Sequence, residues 1–457
     1  MSRHPETFDA LKALLGDRAT RSLAVLDAHG RSEAYYPPTP PDIVVFPQTT
    51  AEVAEIVRAC ARGRVPIVPW GAGTSLEGNA LSPHGGVCID MTRMNKVIEV
   101  HPEDMDCRVQ PGVTRKQLNA ELRGTGLFFP IDPGADASIG GMSSTRGSGT
   151  MAVRYGTMRD NVIAVEAVLP DGQTVRTGNR ARKSAAGYDL TRLFVGAEGT
   201  LGVITEITVK LHPVPEAISA AVCPFETLKG AVDTAIAMIQ SGIPAARIEL
   251  LDDVMMRGVN AYSKLGAQEK PTLFLEFHGS PAAVGEQAAV VESIAREHGA
   301  LDFNWSTRPE DRTKLWTARD NTLYAGTGLR AGAKAVITDV CVPISRLAEC
   351  LIATKKDIDG SGLIAPIVGH VGDGNFHTLI LVDPASHDEI HRAEALHERM
   401  ALRAIEMDGT CTGEHGIGFG KIKFMDKEHG DAVELMRAIK RALDPDNIMN
   451  PGKLFAL

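Results

Sequence analysis

Apolar positions switch between two periods along the first half of the chain. IVVFP (43–47) reads as a strand. AEVAEIVRACARG (51–63) spaces its apolar residues helically and stops at glycine, and VPIVPWG (65–71) is strand-like again. GGVCIDM, CRVQPGV, NVIAVEAVLPDG and GVITEITVKLHP follow, rich in β-branched residues with turn residues between them, which predicts a mixed sheet. Residues 1–36 predict a helical lead-in ending at Tyr35-Tyr36-Pro37-Pro38, and HPVPE (212–216) marks a domain boundary. Beyond it come a helix (ETLKGAVDTAIAMIQSG), two strands (AARIELLDD and TLFLEFHGS), a helix (PAAVGEQAAVVESIAREHG), a helix carrying LWTARDNTLYAG and a strand (KAVITDVCVP). This order predicts an α+β domain whose antiparallel sheet is covered by helices on one face. The reading is a lead-in (1–36), a first domain (37–215), a second domain (216–443) and a tail (444–457) that docks back on the body.

The 457 residues, 44% of them hydrophobic, suffice for two or three domains with sizeable cores. A net charge of −9 without a basic run argues against nucleic acid as a partner. The seven cysteines are scattered with no CxxC pair, as in a reducing compartment. The N-terminus MSRHPETFDALKALLGD lacks the apolar core of a signal peptide, and no stretch reaches the ~20 apolar residues of a membrane helix. A cytoplasmic protein is expected, with peripheral association at an inner membrane left open.

Much of the glycine is clustered in three segments. The first, Pro69-Trp70-Gly71-Ala72-Gly73-Thr74-Ser75-Leu76-Glu77-Gly78-Asn79, directly follows a strand. The second begins at Asp132 and includes Pro133, Gly134, Ser138, Gly140, Gly141, Ser143, Ser144 and Gly149, continuing through Arg154-Tyr155-Gly156 to Asn161. The third is Gly196-Ala197-Glu198-Gly199-Thr200-Leu201-Gly202, running into Val203 and Ile204. Glycine lets successive N–H groups approach an anion with no side chain in the way, and Ser and Thr add hydroxyl donors. An acidic protein can bind a diphosphate through such backbone dipoles. None of the segments has the spacing of GxGxxG or of a P-loop; tight turns alone would explain one of them, but three in one half favour a cofactor cradle.

The second concentration of chemistry is IAPIVGHVGDGNFHTLILV, two apolar runs flanking Gly372-Asp373-Gly374-Asn375. This predicts a hairpin. With Asp373-Gly374 as a two-residue turn, His370 pairs with His377, their Cβ atoms ~4.5–5.5 Å apart. Both rings could then reach one metal ion at about 2.0–2.1 Å. A lone histidine is more often a satisfied core or surface residue; a facing pair is a better candidate. Glu414 and His415, in the glycine-flanked segment 409–418, are candidates for completing the site. A His/His/Glu set suits zinc or manganese. His387, His391 and His397 follow helical spacing on a charged segment and predict a solvated face, and Cys411 is read as structural. Arg319 and Lys334 are candidate cations for a carboxylate, although Arg319-Asp320 by itself reads as an exposed helix pair.

PWGAGTSLEGN, DPGADASIGGMSSTRGSG and GAEGTLGVIT resemble the FAD-binding loops of the vanillyl-alcohol oxidase/p-cresol methylhydroxylase superfamily. The C-terminal motifs resemble its D-lactate dehydrogenase and glycolate oxidase branch, and the likeness runs from about Pro37 to Phe455. It implies a two-subdomain FAD-binding domain of the p-cresol methylhydroxylase type and a C-terminal cap domain. It also implies that residues 69–79 wrap the diphosphate, that 132–161 line adenosine and diphosphate, that 196–204 run beside the flavin, and that Asn450 approaches the isoalloxazine. The first segment has no histidine or cysteine for covalent attachment, so FAD should dissociate. By the same resemblance His370, His377 and Glu414 are metal ligands, His415 is the catalytic base, and Arg319 and Lys334 clamp the substrate carboxylate.

Relatives that oxidise D-2-hydroxyglutarate carry asparagine two residues after the second hairpin histidine, where this chain has Leu379. They carry a hydroxyl side chain four residues after the arginine, where it has Leu323. Apolar side chains cannot satisfy a second carboxylate. The expected substrate is therefore D-lactate or a larger apolar D-2-hydroxy acid, with glycolate open and D-2-hydroxyglutarate an alternative. A metallohydrolase, which would be colourless, and a non-catalytic flavoprotein subunit of a glycolate oxidase-type complex are the rivals. Cytochrome, quinone and electron-transfer flavoprotein all remain open as acceptor, and the family is compatible with a homodimer.

Overall fold

The β-branched runs of the first half build two sheets. Ile43–Val45, Val87–Asp90 and Ile67–Trp70 are parallel neighbours, with Ala19–Thr20 antiparallel at one edge. Val97–His101, Asp106–Val109, Val203–Lys210, Val162–Val168 and Thr174–Arg176 form a five-stranded antiparallel sheet in that order. Helix Thr50–Gly63 connects Ile43–Val45 to Ile67–Trp70, which lie on either side of Val87–Asp90. Its N-cap, Thr49, accepts a hydrogen bond from the Glu52 N–H, and it ends where Arg64 turns left-handed at φ 47°. Val53, Ile56, Val57 and Cys60 line its buried face, each large aliphatic side chain contributing about 1.5–3 kcal/mol. The expected lead-in is no appendage: helix Pro5–Leu15 sends Phe8, Leu11 and Leu15 into this same core.

The computed structural model describes residues 4–457, which fold as two compact units. One comprises the chain up to Ser148 with Gly156–Val214 and Glu414–Leu457; the other comprises Gly149–Tyr155 and Pro215–Gly413. The expected partition differs in two places. Residues 414–443 belong to the first unit together with the tail, and the short segment 149–155 belongs to the second, where Val153 packs against Gly372. The tail is fixed by main-chain bonds: Ile67 donates to the Ile448 carbonyl and Asn450 to that of Ile67, each at 2.7 Å.

The second unit centres on an antiparallel sheet in the order Asn304–Ser306, Ala217–Pro224, Thr272–Gly279, Ala245–Leu251, Ile367–His370, Asn375–Val382, Lys334–Ile337. Val340–Cys341 also pairs with the sixth of these. Helices lie against both faces rather than the one expected, which explains why Asn375–Val382 is buried at every position. On one face Met255, Met256, Leu315, Trp316 and Ala325 pack onto Phe274, Val368 and Leu379. Helices Leu228–Gln240 and Pro281–Glu297 take the other. The helix expected to carry LWTARDNTLYAG is two, Pro309–Asp320 and Thr322–Thr327, meeting at Asn321. Among the described residues no helix is long and apolar enough to cross a membrane.

Candidate functional site

In the first unit the three glycine-rich segments pack on one another. A Cβ on Gly71 would lie 2.4 Å from Ser138 Oγ, and one on Gly199 would lie 3.0 Å from the Pro69 ring. Gly196 N–H and Glu198 N–H donate to the carbonyls of Ser143 and Ser144 at 2.9 and 2.8 Å. Ser138 caps helix Ile139–Thr145 by accepting from Gly141 N–H. Close approach without side chains leaves backbone as the lining, the surface a diphosphate requires. The residues therefore fit an FAD cradle.

Glu198 and Asn450, expected beside the flavin, fasten these segments. The Glu198 carboxylate accepts from Asn79 Nδ2 and Ile417 N–H (2.7 Å each) and from Gly418 N–H (2.8 Å). Burial pushes this carboxyl above the usual carboxylate range, against the pull of those three donors. Asn450 Nδ2 donates to the carbonyls of Asn79 (3.0 Å) and Glu198 (2.6 Å). Lys453 reaches the Leu81 carbonyl and the Asn450 side chain, burial holding its ammonium down at about 8. Glu77, which sequence reasoning passed over, pairs with the fully buried Lys421 at 3.0 Å and lies 3.7 Å from His415 Nδ1. Its position inside the first glycine segment was the available signal. Glu414 accepts from the Ser148 hydroxyl at 2.6 Å, and its Oε1 lies 3.8 Å from His415 Nε2.

In the second unit the histidine hairpin forms with a longer loop than expected. Strand Ile367–His370 runs into a 3-10 turn, Val371–Asp373, Gly374 turns left-handed at φ 78°, and strand Asn375–Val382 leads away. His377 pairs with Val368, not His370. The slip of two residues keeps both histidines on one face, and their ring centroids are 5.4 Å apart. Directly opposite His370, on strand Ala245–Leu251, stands Glu249. His370 Nδ1–H donates to Glu249 Oε1 at 2.8 Å, and His377 Nδ1–H donates to the Thr338 carbonyl at 3.1 Å. Neither acceptor can donate, so whenever either ring is neutral its lone pair lies on Nε2, the tautomer a metal takes. This donor set fits a divalent ion. Beside it Asp339, fully buried, accepts from Asn375 Nδ2 and the Thr412 hydroxyl at 2.7 Å each and lies 3.6 Å from His377 Nδ1.

Arg319 is buried, not part of an exposed charge pair. Nε and Nη2 hold Glu249 Oε2 at 2.7 and 2.6 Å, and Nη1 holds the Thr322 hydroxyl at 3.2 Å. Burial alone would push the Glu249 carboxyl up; His370 and Arg319 outweigh it and keep the group below its ordinary value. Lys334 is a correction. It is exposed and pairs with Val382, an odd number of residues from His377, so it lies on the opposite face of the sheet. Tyr155 and Arg154, expected at the cofactor, have partners in this unit: the Tyr155 hydroxyl donates to His278 Nδ1 at 2.7 Å, and Arg154 to the Pro244 carbonyl. On helix His387–Glu406, His387 and His391 are exposed as expected, but His397 is buried.

A glycine-lined cradle in one unit and an Arg–Glu–His chain beside a paired histidine in the other are the equipment of a flavin oxidoreductase. Residues 41–178 match the FAD binding domain model and 214–454 the model of the C-terminal domain of FAD linked oxidases. The chain belongs to the FAD-linked oxidases, in the branch of the D-lactate dehydrogenases and glycolate oxidases. It is 51% identical to a probable mitochondrial D-lactate dehydrogenase of Danio rerio, over 98% of this chain and 91% of the relative. It is 50% identical to a mitochondrial D-lactate dehydrogenase (cytochrome) of Arabidopsis thaliana, over 98% and 80%. Among solved structures, substrate-bound p-cresol methylhydroxylase superposes with a TM-score of 0.80 at 19% identity, covering 98% of this chain and 96% of that one, which shows the shared fold.

Proposed function

We propose that the chain oxidises a D-2-hydroxy monocarboxylic acid, D-lactate or a larger apolar homologue, to the 2-keto acid and passes the electrons to an external acceptor. The observation that carries this reading is the row Arg319–Glu249–His370 on a sheet face that continues, past His377, into the apolar Leu379. Arg319 binds the carboxylate, since its contacts to Glu249 and Thr322 leave part of its five-donor fork for a second acid. Leu379, Leu323 and Ile337 pack together and offer nothing to a second carboxylate. His370 and His377 hold a divalent metal, zinc or manganese, with Glu414 retained as third ligand on the sequence resemblance. That metal would supply Lewis acidity to the 2-hydroxyl. His415 takes the hydroxyl proton as the carbon–oxygen double bond forms. Bound FAD supplies the acceptor for the hydrogen and electron pair leaving C2. The plant relative is a D-lactate dehydrogenase (cytochrome), and a cytochrome is accordingly the proposed final acceptor here.

The test is the visible spectrum of the FAD-loaded protein under anaerobic conditions. Bleaching by D-lactate and not by D-2-hydroxyglutarate is expected. Bleaching by hydroxyglutarate alone would overturn the substrate assignment, and a protein that takes up no FAD would overturn the reading altogether.

A further inference from the structure

We propose that Glu249 is a positioning residue that locks the metal-binding tautomer of His370 and the substrate-facing pose of Arg319 with one carboxylate. This rests on the metal reading above. The two oxygens are divided: Oε1 accepts from His370 Nδ1 and Oε2 from the Arg319 guanidinium. Glu249 is fully buried, on the strand between those carrying Glu276 and His370, so its position is set by the ladder on both sides. Two donors converge on it, and only a group that accepts at both ends satisfies them.

Glutamine has the same shape but accepts at one end and donates at the other. With its oxygen toward His370, its NH2 meets the Arg319 guanidinium, donor against donor. With its oxygen toward Arg319, the NH2 meets His370 Nδ1 and drives the ring to the tautomer protonated on Nε2, which cannot ligate a metal. His377 has no such dependence, because its Nδ1–H is held by the Thr338 main-chain carbonyl. The two histidines are thus fixed in different ways, His370 by a side chain and His377 by a main-chain carbonyl. The arrangement also ties carboxylate recognition to metal retention: whatever moves Glu249 moves both.

The experiment compares wild type, Glu249→Gln and Glu249→Asp as FAD-loaded full chains, measuring zinc affinity by chelator competition and zinc content of folded protein. Aspartate keeps the charge but is one methylene too short to span both donors. A fall in zinc affinity of about 10–100-fold is expected in Glu249→Gln, with FAD occupancy unchanged, and a fall in the same direction in Glu249→Asp. A residue that only stabilised the sheet would lower the melting temperature without changing zinc affinity per folded molecule. Either variant binding zinc as tightly as wild type overturns the coupling alone. Wild type that takes up neither zinc nor manganese overturns the metal site and the coupling with it.

Discussion

At the scale of single residues, chemistry that looks alike in sequence divides by environment. His415 is half-buried, with Nδ1 3.7 Å from the Glu77 carboxylate and Nε2 3.8 Å from that of Glu414. His415→Ala should slow reduction of the flavin by D-lactate at least 100-fold, about the contribution of a positioned base, while FAD stays bound. Stopped-flow absorbance would check this, and reduction at the wild-type rate would remove His415 from the proton step. Leu379 is buried against the helix carrying Gly326, where a Cβ would lie 2.9 Å from its Cδ2. Leu379→Asn puts an amide into that contact and should lower stability by about 2–4 kcal/mol in urea denaturation. His370, His377, Glu414 and His415 stand out in the sequence as candidates because histidines and a Glu-His pair among glycines are conspicuous. Glu249 and Asp339 could not, since a single acidic residue in a strand gains meaning only from what the register sets opposite it.

Among the elements, the histidine hairpin shows what a sequence pattern can and cannot fix. Two apolar runs around Gly372-Asp373-Gly374-Asn375 specify that a hairpin forms. The loop, however, takes 371–374, a 3-10 turn closed by left-handed Gly374, rather than the two-residue turn. The shift is even, so the histidines keep their face. Lys334 fails by the same geometry in the other direction, an odd offset placing it across the sheet. The short pairing of His212–Pro213 with Leu127–Phe128 carries a pH dependence. Burial holds the His212 imidazole down at about 4, with its Nε2 2.9 Å from Asn161 Oδ1. The unfolded chain therefore takes up the proton first as pH falls below about 6.5, and this pairing loses stability from there down to about 4. The melting temperature of wild type should fall more steeply between those pH values than that of His212→Gln; parallel curves would show that the site does not contribute.

In the molecule as a whole, a segment distant in sequence, 414–457, completes the first unit. Lys440, buried, binds Asp444 and the carbonyls of Thr200 and Met449, while Asn450 fastens the first and third glycine segments and is itself held by Lys453. A chain ending at Leu443 leaves Lys440 as a buried cation without its carboxylate and frees those segments, a loss of several kcal/mol. It should be recovered without FAD and with a melting temperature more than 10 °C lower; a truncated chain that retains FAD would show that the tail is dispensable to the cradle. By itself the sequence determined the elements, the α+β class, the glycine segments and the paired histidines, because periodicity, turn chemistry and rare residue types are local signals. Tertiary structure decided that 149–155 joins the second unit and 414–443 the first, that Arg319 is buried on Glu249, and that Lys334 stands aside. Those outcomes depend on strand register and on which buried polar groups find partners, and both are settled only when distant parts of the chain meet.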